Sequence, residues 1–258
     1  MSPIITLLTD FGAGSGYPAQ VKGVLLRLVP DVRLVDLSHE VPAYDVLAGA
    51  LLLEACVRWF PSQAVHLAVV DPGVGTARRA VAVVDPEGRR LVGPDNGLFT
   101  PFLGPGARVR QIVPGETVPS PVSATFHGRD LFAPAAALLA SGTDPTALGP
   151  AAPDPVRLEW PVARRRGREL AGTTLAADSF GNLLTSVTAA DLGGQEVVQA
   201  ALEGRPVRWV RTFGEGERGE LVAYLGSGGR VEVAEREGSA AAALGGAAGH
   251  EVRLVLAR

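Results

Sequence analysis

The stretch VVDPGVGTARRAVAVV, residues 69–84, places one carboxylate, Asp71, and two arginines, Arg78 and Arg79, in a glycine-bearing loop between two apolar runs. A second aspartate, Asp10, closes the run IITLLT, and His127 and Asp130 stand together in HGRD. The arrangement around Asp71 invites phosphate binding yet lacks the lysine such a site would carry. Asp10, Asp71, His127 and Asp130 could instead hold a metal ion, although the four histidines (His39, His66, His127 and His250) show neither HxH nor HExxH spacing. Phosphate chemistry fits less well. GAGSG after Asp10 lacks the dinucleotide-binding spacing, and no GK[ST] follows it. TDFG echoes a kinase magnesium motif but has no catalytic loop ahead of it. The alternative for each aspartate is a turn residue accepting backbone N–H groups.

Strand-like and helix-like runs alternate around these residues. IITLLT reads as a buried strand ending at Asp10, and the glycines of FGAGSG lead into a helix opening near Tyr17 and Pro18. RLVDL is a second strand, YDVLAGALLLEACVRWF a second helix, and AVHLAVV a third strand ending at Asp71. This order predicts a parallel, helix-covered sheet, which binds ligands at the carboxyl ends of its strands. Asp10 and Asp71 both stand at such ends, so a shared crevice is the better reading for the pair. RAVAVVD and RLVG, joined by PEGR, read as a hairpin, and GRDLFAPAAALLAS as a further helix. Short alternating segments follow, among them TTLAAD, PVRWVRTF, LVAYLG, RVEVAE and EVRLVLA, separated by Gly-rich turns. The fold class expected is α/β: a mainly parallel N-terminal domain over 1–160, a linker over 161–170 holding the run from Arg164 to Arg168, and a small β-barrel domain over 171–258.

Composition narrows the function classes. With 258 residues, 47% of them hydrophobic and 20% charged, the chain can bury a substantial core and is not disordered. A formal charge of −3 argues against nucleic acid as a partner. Lys22 is the only lysine, a bias that reads as genome composition or a hot habitat. The lone Cys56 excludes an internal disulfide and lies in a helical run, as a buried apolar residue would. No N-terminal signal and no apolar stretch long enough for a bilayer is visible, so a cytoplasmic protein without a membrane partner is expected. His66, mid-strand, and His250, near the last strand, read as structural.

TLLTDFG, DLSHEVP, VVDPGVGTARR, GPDNGLF, TFHGRDLFAPAAA, DSFGNLLTS and YLGSGG occur in this order from residue 5 to about residue 240. As an ordered set they resemble the S-adenosylmethionine (SAM) hydroxide adenosyltransferases, or SAM hydrolases, relatives of the fluorinating and chlorinating enzymes that attack the same carbon. The resemblance implies hydrolysis of SAM to adenosine and L-methionine by displacement at the ribose C5′, with no cofactor. It also implies a homotrimer whose sites lie between the N-terminal domain of one subunit and the C-terminal domain of its neighbour. Carried over by position, the catalytic residues are Asp71, Arg78 and His127. Asp10 matches the ribose-binding aspartate, and Tyr44 an aromatic packed near the sugar. Asp178 and Asn182 match residues holding the methionine amino group, Phe180 one stacking on adenine, and Ser227 a contact to the methionine carboxylate. Halogenating relatives carry an arginine after that serine, where this chain has Gly228; Arg230 is a nearby substitute. Asn96, in GPDNG, receives no role, and Arg79 reads as a surface residue at a strand start.

The chemistry agrees with the resemblance. A sulfonium departs as a neutral thioether, so the reaction needs alignment and an activated water rather than a general acid, a metal or a covalent nucleophile. Holding water in line in a desolvated pocket contributes roughly 7–11 kcal/mol. A carboxylate would repel a halide by about 4 kcal/mol at 4 Å and an effective dielectric of 20, so Asp71 favours oxygen over halide. Three other readings stay open at this point: a chlorinase, a sensor that binds SAM or adenosine without turnover, and a metal-dependent phosphoesterase using Asp10, Asp71 and His127.

Overall fold

The first run, Ile4–Thr9 (β1), is buried at every position after its first, which requires cover on both faces of a central strand. The computed structural model describes residues 2–115, 117–118 and 122–258 and divides into two compact units, Met1–Glu159 and Trp160–Arg258.

In the first unit β1 lies between Arg33–Ser38 (β2) and Val65–Val69 (β3), parallel to both. Ala80–Val84 (β4) and Arg90–Pro94 (β5) form the expected hairpin; β5 runs parallel to β3, and Arg108–Gln111 (β6) pairs antiparallel with β4 at the edge. The order is β2-β1-β3-β5-β4-β6. The four parallel strands therefore deliver their carboxyl ends to one edge, and the register Thr9↔Val69 sets Asp10 and Asp71 just past adjacent ends.

Alternation along β1 divides the core. Ile5 and Leu7 join the cluster under helices Tyr17–Leu28 (α1) and Ala133–Ala140 (α3), while Leu8 lies toward Gly49 of Val46–Val57 (α2). Pro18, Val21 and Leu25 give α1 one buried stripe, and Asp45 caps α2 by accepting the N–H of Ala48 at 2.9 Å. A Cβ on Gly49 would meet Val70 at 3.0 Å, and one on Gly93 would lie 2.1 Å from the carbonyl oxygen of Ala68. Glycine is thus required where β5 closes on β3. Cys56 is half-buried, and burial raises its thiol pKa, in keeping with a packing role.

The run after His127 opens with a wide π-turn, Gly128–Phe132, before α3 begins. Pro134 explains it: proline has no N–H to give to residue 130 and its ring crowds that carbonyl, so the wider turn avoids the clash.

His66 is fully buried in β3, with Nδ1 2.9 Å from the hydroxyl of Thr6. Burial, aided by Arg89, pushes its pKa from 6.5 down to about 4. The unfolded chain therefore takes up this proton at higher pH than the folded one. The protein is expected to lose stability as pH falls from about 6.5 toward 4, and His66→Gln to flatten that loss in denaturant titrations across the same window.

In the second unit Glu169–Ala177 (β8), Leu183–Thr188 (β9), Val197–Leu202 (β10), Arg205–Trp209 (β11), Leu221–Leu225 (β12), Arg230–Glu235 (β13) and Glu251–Leu256 (β14) close into a seven-stranded barrel. The ring runs β14-β10-β11-β12-β13-β9-β8 and returns from β8 to β14. Leu183, Val187, Val231, Leu254 and Leu256 fill its core. The arginine run does not form a linker: Arg164–Arg166 is an exposed strand (β7) pairing antiparallel with β8, which itself starts at Glu169. A charged edge strand resists further pairing, which explains arginine in a strand. Among the described residues no helix is long and apolar enough to cross a membrane.

Candidate active site

The loop after β3 and the turn before α3 bring Asp71, Arg78 and His127 together. Arg78 Nε donates to both oxygens of Asp71, at 2.9 and 3.1 Å, and its Nη2 makes a further short contact with Asp71 Oδ2. The same Nη2 lies 2.7 Å from His127 Nδ1. Arginine can only donate, so Nδ1 accepts and the neutral imidazole carries its proton on Nε2. Nη1 of Arg78 is tethered to the carbonyl of Arg79 at 3.3 Å, and the guanidinium carbon stands 5.1 Å from the centre of the Phe132 ring. The Asp71 and Arg78 side chains are only 5% and 10% exposed. Burial first, and then the neighbouring Arg78 cation, lower the His127 pKa below its ordinary value. The imidazole therefore stays neutral at neutral pH.

Asp10 reaches the same cavity from β1. Its Oδ2 accepts the N–H of Tyr44 at 2.9 Å, which holds Tyr44 in a left-handed conformation at φ 68° that a bulky side chain rarely adopts. The cavity, of about 250 Å³, is walled by Asp10, Phe11, Tyr17, Tyr44, Asp71 and His127, among others. Phe11, Tyr17 and Phe126 pack edge to face, with centroids 5.1–6.0 Å apart, as an aromatic wall. A larger cavity, about 890 Å³, lies on the barrel between β7 and β11 and contains none of these groups. Chemistry rather than size picks out the smaller one.

Asp130 is committed elsewhere: it accepts the N–H of Ser123 at 3.0 Å and pairs with Arg129. No group of three or more His, Cys, Asp or Glu among the described residues is arranged to hold a metal ion. Arg79, expected at the surface, is 29% exposed and anchored. It bonds the buried Asp95 at 2.8 Å and also pairs with Asp154. His39, near the same sheet edge, is buried with Nδ1 2.8 Å from Thr9 Oγ1.

Within the barrel unit Asp178 organises its own loop. Its Oδ1 accepts the N–H groups of Phe180 and Asn182, both at 2.9 Å, and its Oδ2 accepts Asn182 Nδ2 at 2.9 Å. The Phe180 ring is left 76% exposed. Ser227 sits in the turn joining β12 to β13. Glu232, which the sequence reading passed over, lies close by: a Cβ on Gly226 would meet its carboxylate at 1.9 Å. Tyr224, its cross-strand partner, bonds it. Burial, together with the negative charge of Asp178, raises the pKa of Glu232. In RVEVAE it alternates with the buried Val231 and Val233 as a solvent-facing residue would, so no sequence signal marks it. Arg230 does not stand free as a substitute clamp; it is buried, bonds the carbonyl of Thr185 at 3.4 Å and stacks over Trp160.

Comparison with known proteins supplies the relationship. A protein from Thermus thermophilus named (R)-S-adenosyl-L-methionine hydrolase is 46% identical over 99% of this chain and all of its own length. A fluorinase from an Actinoplanes species is 28% identical over 90% of this chain and 91% of its own. The crystal structure of an uncharacterised conserved protein from Thermotoga maritima superposes with a TM-score of 0.88 at 30% identity, covering 97% of this chain and 99% of that one. The family models for the SAM hydroxide adenosyltransferase N-terminal and C-terminal domains match residues 5–149 and 172–253, and the chain belongs to that family.

Proposed function

We propose that this protein hydrolyses S-adenosyl-L-methionine to adenosine and L-methionine in the cytoplasm. The observation that carries the reading is the Asp71, Arg78 and His127 constellation, in which Asp71 and His127 line a cavity shared with Asp10 and Arg78 bridges the two from behind. Water attacks the ribose C5′ opposite sulfur; the C–O bond forms as the C–S bond breaks, and the bonding pair goes to sulfur, which leaves as the neutral thioether of methionine. The water proton passes to the site or to solvent. Asp71 accepts a hydrogen bond from the water, while Arg78 and His127 orient it and stabilise hydroxide character. Asp10 binds the ribose hydroxyls and Tyr44 packs on the sugar.

Asp178, Asn182 and Ser227 bind the amino-acid end and Phe180 stacks on adenine. Glu232 adds a second carboxylate beside Asp178 for the α-ammonium group, whose charge relieves their repulsion. The exposed rings of Tyr44 and Phe180 suit burial between subunits, and we assign a homotrimer whose N-terminal site is completed by the neighbour's barrel unit. Greater similarity to proteins named hydrolases than to a fluorinase, together with the Asp71 carboxylate, supports water over halide as the nucleophile.

The test is incubation of EDTA-treated protein with the (R) and (S) sulfonium epimers of SAM, with and without chloride, followed by chromatography and mass spectrometry. Adenosine and methionine formed from the (R) epimer without metal are expected. A 5′-chloro product, or intact SAM that nevertheless binds, would replace the hydrolase with a halogenase or a sensor.

A further inference from the structure

The block GPDNG, to which the sequence reading gave no role, lies against both stems of the loop that carries Asp71 and Arg78. This loop has no regular structure of its own between the end of β3 at Val69 and the start of β4 at Ala80. Its catalytic candidates stand one residue inside its two stems, Val70 and Arg79. Asn96 Nδ2 donates to the carbonyl of Val70 at 2.8 Å, and its Oδ1 accepts the N–H of Leu98 at 3.2 Å, which fixes the orientation of the amide. Asp95 holds the other stem. Its backbone N–H donates to the carbonyl of Arg79 at 3.0 Å, one rung beyond the last strand pair Ala80↔Pro94.

The Asp95 side chain, 3% exposed, accepts Arg79 Nε at 2.8 Å and the N–H of Val156 at 2.8 Å. The Arg79 carbonyl held in this way is the one that tethers Nη1 of Arg78. Gly97 completes the block at φ +97°, where a Cβ would strike Leu158 at 2.7 Å. Adjacent residues on one rigid turn thus pin both ends of the catalytic loop.

We propose that Asp95 and Asn96 are positioning residues: they fix the spacing of Val70 and Arg79 and so hold the Arg78 guanidinium in register with Asp71 and His127. The inference rests on the functional reading above, and it makes the catalytic geometry a property of β5 as much as of the loop. Neither residue is among those lining the cavity; each acts through a backbone carbonyl next to a proposed catalytic residue. Inside the loop the backbone N–H groups of Val74, Thr76 and Arg78 bond locally, to Asp71, Gly73 and Thr76, and the Asp71–Arg78 side-chain pair spans the loop; the stem carbonyls on either side of that pair are held from outside it, by Asn96 and Asp95.

Asn96→Asp, which sets an oxygen against the Val70 carbonyl, and Asn96→Ala, which removes the donor without adding charge, are to be compared with wild type in the full-length protein. Two readouts are needed: steady-state SAM hydrolysis, and the NMR titration of the His127 imidazole. Misalignment of the reacting groups is expected to lower kcat by about 10- to 100-fold, with KM within about twofold of wild type. His127 faces Arg78, Asp71 and Asp130; when Arg78 withdraws, its titration is expected to move up in pH.

A folded variant with kcat within twofold of wild type and an unmoved His127 titration would overturn the proposal. So would equal losses in kcat and thermal stability with no change in that titration, since these describe general loosening. Asn96→Ala answers if Asn96→Asp does not fold. If the wild-type protein leaves SAM intact, the hydrolase reading fails, and the His127 titration still decides whether the clamp exists.

Discussion

Asp71→Asn is expected to lower kcat for SAM hydrolysis by about 10²–10⁴-fold, the range typical for loss of a positioned acid or base. The substitution keeps the volume but removes the charge, and its amide sets an N–H group against an arginine that can only donate. Two effects then combine. The water loses its strongest acceptor, and Arg78, itself only 10% exposed, is freed from the two-toothed grip that aligns it with His127. A buried guanidinium without its carboxylate is also costly, so a fall in thermal stability is expected with the loss of turnover. Binding is expected to survive, because the ribose and amino-acid contacts are assigned to other residues. Rapid-quench turnover beside calorimetric titration of SAM separates the two. Turnover within threefold of wild type would remove Asp71 from the mechanism.

The second large effect concerns His127 and carries a sign. Its Nδ1 accepts from Arg78, an arrangement open only to the neutral ring; protonation would place an N–H against the arginine. Burial and the arginine cation both depress its pKa, so the neutral form survives below the ordinary histidine value of about 6.5. Wild-type kcat/KM is therefore expected to hold at pH 6.5 and to fall only as pH drops through the lower folded value. His127→Ala is expected to lower the plateau by about 100-fold and to abolish that acid limb. A variant retaining both plateau and limb would show that another group titrates. Because Arg78 is the second cause of the depression, Arg78→Gln is expected to move the limb toward higher pH, with the activity that remains.

Much of this site is legible in the sequence. Asp10 and Asp71 close apolar runs of strand length, and parallel strands separated by helices must end at one edge, so their meeting followed from periodicity alone. The hairpin after the loop was legible in PEG, because a proline and a glycine between apolar runs leave the backbone few alternatives; Gly88 does take a positive φ there. The specific roles proposed for these residues rest on the ordered resemblance of seven motifs, since no single aspartate announces a ribose or a water.

Other features were hidden for identifiable reasons. Arg164–Arg166 reads as a solvated linker because charge obscures period 2, and only pairing with β8 makes it a strand. Arg79 reads as a surface residue because its anchor is distant in sequence: the buried carboxylate of Asp95 reaches it from the turn after β5. Glu232 became visible through the register that sets Tyr224 opposite it and through the lack of a side chain at Gly226.

The sequence by itself determined the two architectures, the edge at which chemistry gathers and the residue types present there. Apolar periodicity and turn residues act over a few positions and are written locally. Tertiary structure alone decided that Arg78 bridges Asp71 and His127, that His127 is held in one tautomer, and that Asp95 and Asn96 grip the loop from the turn after β5. Those outcomes depend on angles and distances of a few ångströms between segments up to about fifty residues apart in the chain, set when the sheet closes and the side chains pack.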